Sequence, residues 1–315
     1  MIQANTRGRL EQGAKKIVLN IFIYSILICI CFLILYPLFS NISTMFKSRA
    51  DLLDKSVVFL PKEPTTERIK QTLEGMAYGK VILNTTLLSG MVALLQVVSC
   101  TLIGYGFARF RFPGRRVLFA MVIFTMLVPV QLLMPSYYLQ FQRFDLFGLI
   151  GLITGSPLRL LGTPWPFVLL SAMGLGFKNG LYIYFTRQFF INLPRELDES
   201  SRIDGAGFIR IFFQIMLPNA LPVLITVFLF SFSWQWTDQY LTALYLPGEP
   251  LLDLTLSSLT GYGGRLMDPV VQAAVVNTGV ILAIIPVLAV PIAFSAGYNP
   301  LMLALIGEAG YFGGR

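Results

Sequence analysis

The chain has no histidine among its 315 residues, only three cysteines, and charged side chains at just 13% of positions. Without histidine, the commonest general base and the commonest metal ligand are both missing. No G-x-x-x-x-G-K-[ST] run occurs, so nucleotide binding through a phosphate loop is not expected. Cys29 and Cys31 fall in one apolar run and Cys100 in another, where small sulfur side chains face lipid or a neighbouring helix and form neither disulfide nor metal site. The one conspicuous acidic group, Glu196, Asp198, Glu199 and Asp204, is interleaved with Arg195 and Arg202, the pattern of a solvated helix face. No catalytic residue, metal or cofactor of its own is expected for this chain.

What is abundant is apolar surface. Hydrophobic residues fill 55% of the positions and mean hydropathy is +0.70, whereas soluble domains carry about 25% charged residues. The apolar residues gather into blocks of about 20, the length a helix needs to cross ~30 Å of hydrocarbon. Six such blocks lie at about 17–39, 81–108, 117–141, 165–190, 220–240 and 270–294. They predict an all-α polytopic membrane protein with about six transmembrane helices, a tail at 1–16 before them and a tail at 295–315 after them. The first block is too long for a signal-peptide core and no small-residue cleavage pattern follows it, so it reads as a retained span. The fourth is the weakest, because Lys178 stands among Gly174, Gly176 and Gly180, a place for the helix to bend or begin. Pro129 and Pro135 read as kinks in the third block, and Asn84 as a helix cap in the second.

Lysine and arginine set the orientation. With the N-terminus inside, thirteen cations fall on cytoplasmic segments and ten on external ones. Density favours this arrangement: Arg109, Arg111, Arg115 and Arg116 crowd into eight residues, while the loop from Lys47 to Lys80 spreads seven cations over 34. Both termini are then cytoplasmic. The net charge of +8 comes with no basic domain of interleaved aromatics, so nucleic-acid binding is not expected.

Between the fourth and fifth blocks lies a polar island, with Leu193 to Pro222 reading LPRELDESSRIDGAGFIRIFFQIMLPNALP. It divides into two short helices at Gly205-Ala206-Gly207, where glycine permits the positive φ of a sharp turn. Pro194 suits a helix start and Glu196 its first turn. Phe208, Ile211, Phe212 and Ile215 recur at helical spacing as an apolar stripe. The first helix carries charge on several sides with small Ser200 and Ser201 at its middle, a shape suited to lying across another protein's groove.

Here the sequence resembles the permeases of ABC-type importers, whose cytoplasmic coupling loop has the form E-A-A-x3-G-x9-I-x-L-P. The chain has Glu199-Ser200-Ser201, three residues, Gly205, nine residues, then Ile215, Leu217 and Pro218, with serine for both alanines. Asn84-Thr85, the run from Gly104 to Gly114 and Arg187-Gln188-Phe189-Phe190 are similar to carbohydrate-importer permeases, maltose-type second permeases in particular, and Arg202-Ile203-Asp204-Gly205-Ala206 and Trp234-Gln235-Trp236-Thr237-Asp238 resemble further recurrent segments. The resemblance implies a type I ABC importer permease fold in a bacterial inner membrane. It also implies a loop at 191–219 that docks on an ATPase, a second permease, two cytoplasmic ATPase subunits that bind ATP and magnesium, and an external solute-binding protein. The segment from Ala293 to Arg315 departs from the family, being small and apolar with one cation. Trp234, Trp236 and Asp238 either line a sugar path or form an interfacial aromatic belt with a carboxylate among headgroups. A secondary transporter or channel is the competing class, but no internal repeat supports it. A membrane enzyme or scaffold ranks below both.

Overall fold

A computed structural model describes residues 2–146, 148–259 and 268–312, with side-chain surroundings for 15–293 except 147, 154, 260–267 and 291. Arg265, one of the ten external cations in the expected orientation, and Arg315, one of the thirteen cytoplasmic ones, lie outside the described residues. Among those described there is no β-strand, only an isolated bridge between Phe144 and Leu158. The chain divides into two units, Met1–Met76 with Leu259–Leu282, and Ala77–Ser258 with Ala283–Arg315.

In the first unit, α1 (Ile2–Met45) extends through both the tail and the first apolar block, followed by α2 (Arg49–Leu53) and α3 (Glu67–Gly75). A buried Lys47 holds the segment after α1 by donating to the carbonyls of Val57 at 2.8 Å and Val58 at 2.9 Å. Buried Asp51 accepts from the Glu63 N–H at 3.1 Å. At the surface Lys62 pairs with Asp54 at 2.7 Å and holds its carboxyl below the usual carboxylate range.

The second unit is a bundle built on α4 (Tyr78–Arg109). The third block forms α5 (Arg115–Leu127) and α6 (Val130–Gln142), bent by 103° where Pro129 forces Val128 out of the helical region. After α7 (Leu149–Thr154), the fourth block is two helices, α8 (Trp165–Ala172) and α9 (Asn179–Asn192). Gly174 at φ +74° and Lys178 at φ +63° separate them. The interruption keeps its backbone satisfied: Leu175 N–H donates to Leu170 C=O at 2.8 Å, and Gln96 on α4 donates to the Phe177 carbonyl at 3.0 Å. The polar island forms α10 (Glu196–Ile203), α11 (Phe208–Ile211), a π-helical turn (Phe212–Met216) and α12 (Leu217–Asn219). A 72° bend at Ala220 leads into α13 (Leu221–Trp236), then α14 (Tyr240–Tyr245) and α15 (Leu252–Ser258). The last helix, α16 (Pro269–Phe312), runs on past the sixth block, so the segment read as a tail from 295 is helical as far as Phe312.

By length and composition, three helices can each cross a membrane, Lys15–Met45, Tyr78–Arg109 and Pro269–Val290, and the two bent pairs raise the number to five. The fourth block falls outside this set because α9, at 14 residues, rises only about 21 Å. At the centre of the bundle Val92, Cys100, Tyr182, Ile183 and Val227 are buried. α4 and α9 touch backbone to backbone at Gly104, where a Cβ would lie 2.8 Å from Arg187 N and against the Thr186 side chain. Thr186 Oγ1 donates across this contact to the Cys100 carbonyl at 2.9 Å.

Candidate coupling loop and translocation site

α10 begins after Pro194 with Glu196, Asp198 and Glu199 in its first turn, where carboxylates complement the helix dipole. It ends on a glycine cap. Gly205 takes φ +78°, its N–H reaches the Arg202 carbonyl at 3.1 Å, and the Ala206 N–H reaches back to Ser201 at 2.9 Å. One face of the helix turns inward: Leu197 is packed, and buried Ser201 donates to its carbonyl at 2.6 Å. Glu199, Ser200, Asp204, Gly205 and Pro218 are exposed. Ala206, Ile215 and Leu217 pack against buried Ile211, Phe212 and Met216.

The support under this loop comes from the end of α4. Tyr105 stacks among Phe190, Phe208, Phe110 and Phe212, with centroids between 4.9 Å and 6.0 Å away. One turn on, Arg109 pairs with Asp198 at 3.3 Å and donates to the Leu193 carbonyl at 3.1 Å, so it grips both the entry to α10 and its first turn. Sequence reasoning placed both residues in a family-like segment but gave them no task. Their signal was faint, an arginine and an aromatic at the last turns of an apolar span.

Outward, the loop shows apolar surface. Ile203 is 86% exposed and Ile209 70%. Gly207, Phe208, Ile209, Phe213 and the stems of Arg210 and Gln214 line a shallow concavity of about 740 Å³. Apolar side chains gathered on the most polar segment of the chain mark a contact surface.

Of the three residues considered for a solute path, Trp234 is open and the others are enclosed. Trp236 is buried and stacked on Phe232 at 5.5 Å. Asp238 is buried two residues before α14 and accepts from the N–H groups of Leu241 at 3.3 Å and Thr242 at 3.2 Å in its first turn. Trp234 lies instead against Lys178, whose Nζ is 4.7 Å from its ring centre and 5.0 Å from that of Phe177.

Residues 101–299 match the family model described as the binding-protein-dependent transport system inner membrane component. The chain belongs to that family. Members are membrane permeases and not enzymes in themselves, working with an ATPase and a solute-binding protein. This permease is 28% identical over 282 residues to the maltodextrin transport system permease protein MdxG of Bacillus subtilis, covering 88% of this chain and 92% of that one. Over 239 residues it is 28% identical to the galactooligosaccharides transport system permease protein GanQ of the same organism, covering 75% and 78% of the two chains. It is also 32% identical over 169 residues to a probable ABC transporter permease of Pyrococcus horikoshii, spanning only 55% of that protein. The fold matches a crystal structure of a bacterial ABC transporter involved in the import of the acidic polysaccharide alginate, with TM-score 0.71, 20% identity, and coverage of 89% of this permease and 96% of that chain. The glycine-capped loop and the long apolar helices are thus those of an importer permease.

Proposed function

We propose that this chain is one of two permease subunits in an ATP-driven, binding-protein-dependent importer of a sugar or related polyol. Two cytoplasmic ATPases supply ATP and magnesium binding, and an external protein delivers the solute. The observation that carries the reading is the clamped loop: Ile203 at the end of α10 and Ile209 on α11 stand exposed, while the inner side of α10 is fixed to α4 through Arg109 and Asp198. Glu199, Ser200, Ser201, Asp204, Gly205, Ala206, Ile215, Leu217 and Pro218 form or shape that coupling surface. The names borne by the relatives support a sugar as cargo. A carrier driven by an ion gradient would have no use for apolar side chains displayed on its polar loop, so the ATP-driven reading stands ahead of it. On this reading α8 and α9 together complete a sixth crossing, and both termini and the loop face the cytoplasm.

The test is assembly and sidedness. The permease purified alone neither binds nor hydrolyses ATP, and ATP hydrolysis appears when its ATPase partner is added. A cysteine at Ser201 reacts with an impermeant thiol reagent only from the cytoplasmic side, and one at Thr65 only from outside. Stoichiometric nucleotide binding by the lone chain, or labelling of both sites from one side, would overturn the assignment.

A further inference from the structure

Three helices end together at the coupling loop: α4 at Arg109, α9 at Asn192 and, leaving it, α13 at Leu221. Thirteen residues from each of those ends stand Gln96, Asn179 and Trp234. At 1.5 Å per residue all three lie about 20 Å from the loop, inside ~30 Å of hydrocarbon. The hydrogen bonds agree with this layering, since Gln96 donates to the Phe177 carbonyl and accepts from Ser231 Oγ.

Into this layer the break between α8 and α9 delivers a cation. Lys178 adopts φ +63°, a left-handed conformation that side chains other than glycine rarely take. Such strain persists where surrounding structure enforces it, and it collects at functional sites. A charge at this depth is expensive unless paired, yet among the described residues Lys178 has no ion-pair partner; only the faces of Phe177 and Trp234 meet it. Trp234 keeps 42% of its surface open beside the ammonium. Next in sequence, Asn179 is 2% exposed with both side-chain polar atoms unpartnered, and its Oδ1 converges with Gln96 Nε2 and Ser171 Oγ around the space beside Gly176.

We propose that Lys178 and Trp234 form a binding point in the translocation path for a saccharide carrying an anionic group. The ammonium pairs with that group while the indole stacks on the sugar ring. The proposal rests on the importer reading and narrows its cargo: a neutral sugar would leave the half-buried cation without an anion at this depth.

The permease, in lipid nanodiscs with the second permease and without the solute-binding protein, is dialysed to equilibrium against labelled trigalacturonate, glucose 6-phosphate and neutral maltotriose. An anionic probe is bound in preference to maltotriose, and which of the two is retained separates carboxylate from phosphate. Lys178→Gln binds it about ten- to a hundredfold more weakly, the loss of one charge-assisted contact. Lys178→Arg retains binding within a few-fold, and Trp234→Leu weakens it. Lys178→Gly separates function from folding, because glycine accepts the left-handed backbone: this variant melts no lower than the parent while losing the probe. Equal binding of maltotriose and the anionic probes, unchanged binding by Lys178→Gln, or loss of the second permease from the Lys178→Gln complex would overturn the proposal. Binding is read on the permease itself, so failure of an ATPase to assemble would sink the importer reading and leave this measurement standing.

Discussion

Arg109 and Asp198 meet at 3.3 Å with side chains only 8% and 14% exposed, joining the last turn of one apolar helix to the first turn of the loop helix α10. A pair this enclosed is unlike an exposed ion pair, because removing one member strands the other in a poorly solvated site. Arg109→Gln should destabilise the permease by ~3 kcal/mol, and Asp198→Leu should do the same to a smaller extent. The double variant should recover part of the loss, a non-additivity that thermal melts of the four proteins would reveal. Simple addition of the two single effects would mean that the pair is incidental.

Gly205 carries the turn after α10 at φ +78°, and a Cβ there would meet nothing within 4 Å. Substitution is therefore opposed by the backbone alone. Gly205→Val should cost about 1–3 kcal/mol locally and redirect α10, and Gly205→Asn should cost less. Solute uptake by reconstituted importer, normalised to inserted protein, should fall sharply for valine and mildly for asparagine. Near-normal uptake by the valine variant would reduce the loop to a connector.

Gly104 and Gly106 stand two residues apart on α4 with opposite tolerances. At Gly104 an added methyl meets Arg187 N at 2.8 Å, while at Gly106 the nearest atom is Phe110 Cδ2 at 3.9 Å. Gly104→Ala should lower stability by about 1–3 kcal/mol through forced separation of α4 and α9. Gly106→Ala should be neutral or stabilising by about 0.5–1 kcal/mol, as expected in a helix interior. Thermal denaturation in detergent ranks the two.

Asp253, in the first turn of α15, has its carboxyl pushed up to about 6, first by burial and then by the negative Asp238. The folded protein holds this proton more tightly than the unfolded chain, whose carboxyl has the ordinary value of 3.8. Stability linked to it therefore declines as pH rises from about 4 to about 6 and stays low above that. Asp253→Asn, which mimics the protonated form, should raise the melting temperature at about pH 7 and give little gain at about pH 4. A gain independent of pH would place the effect elsewhere.

The two-helix shape of the candidate coupling loop was legible in the sequence because its marks are local: a proline before α10, acids in its first turn, and a glycine where φ is positive. The membrane class was equally plain from uncharged runs such as 81–108. The fourth block was harder. Its glycines announced a break, but an apolar run of the right length does not disclose that two helices share it. Trp234, Trp236 and Asp238 look alike in one dimension, yet residues two apart on a helix point about 200° away from one another, so both tryptophans could not line one surface. That Trp234 meets Lys178 depends on two segments 56 residues apart being brought together, which no local pattern encodes. Arg109 and Asp198 are likewise separated by five helices, α5 to α9.

Within the loop, Leu217 N–H bonds to Phe212 C=O, five residues back, in place of the usual four. A π turn holds one more residue than the α turn it replaces, and each residue advances a helix by about 100°. The nine positions between Gly205 and Ile215 therefore act as a phase setting more than as a spacer. Deleting one residue of α11 would swing what precedes it about 100° around the axis of Leu217 and Pro218, whereas losing one inside the π turn would let it relax to α geometry with little change of aim. Side chains of α11 can change while the docking face keeps its aim, but the length of that segment cannot, so its register tunes how the permease addresses its motor.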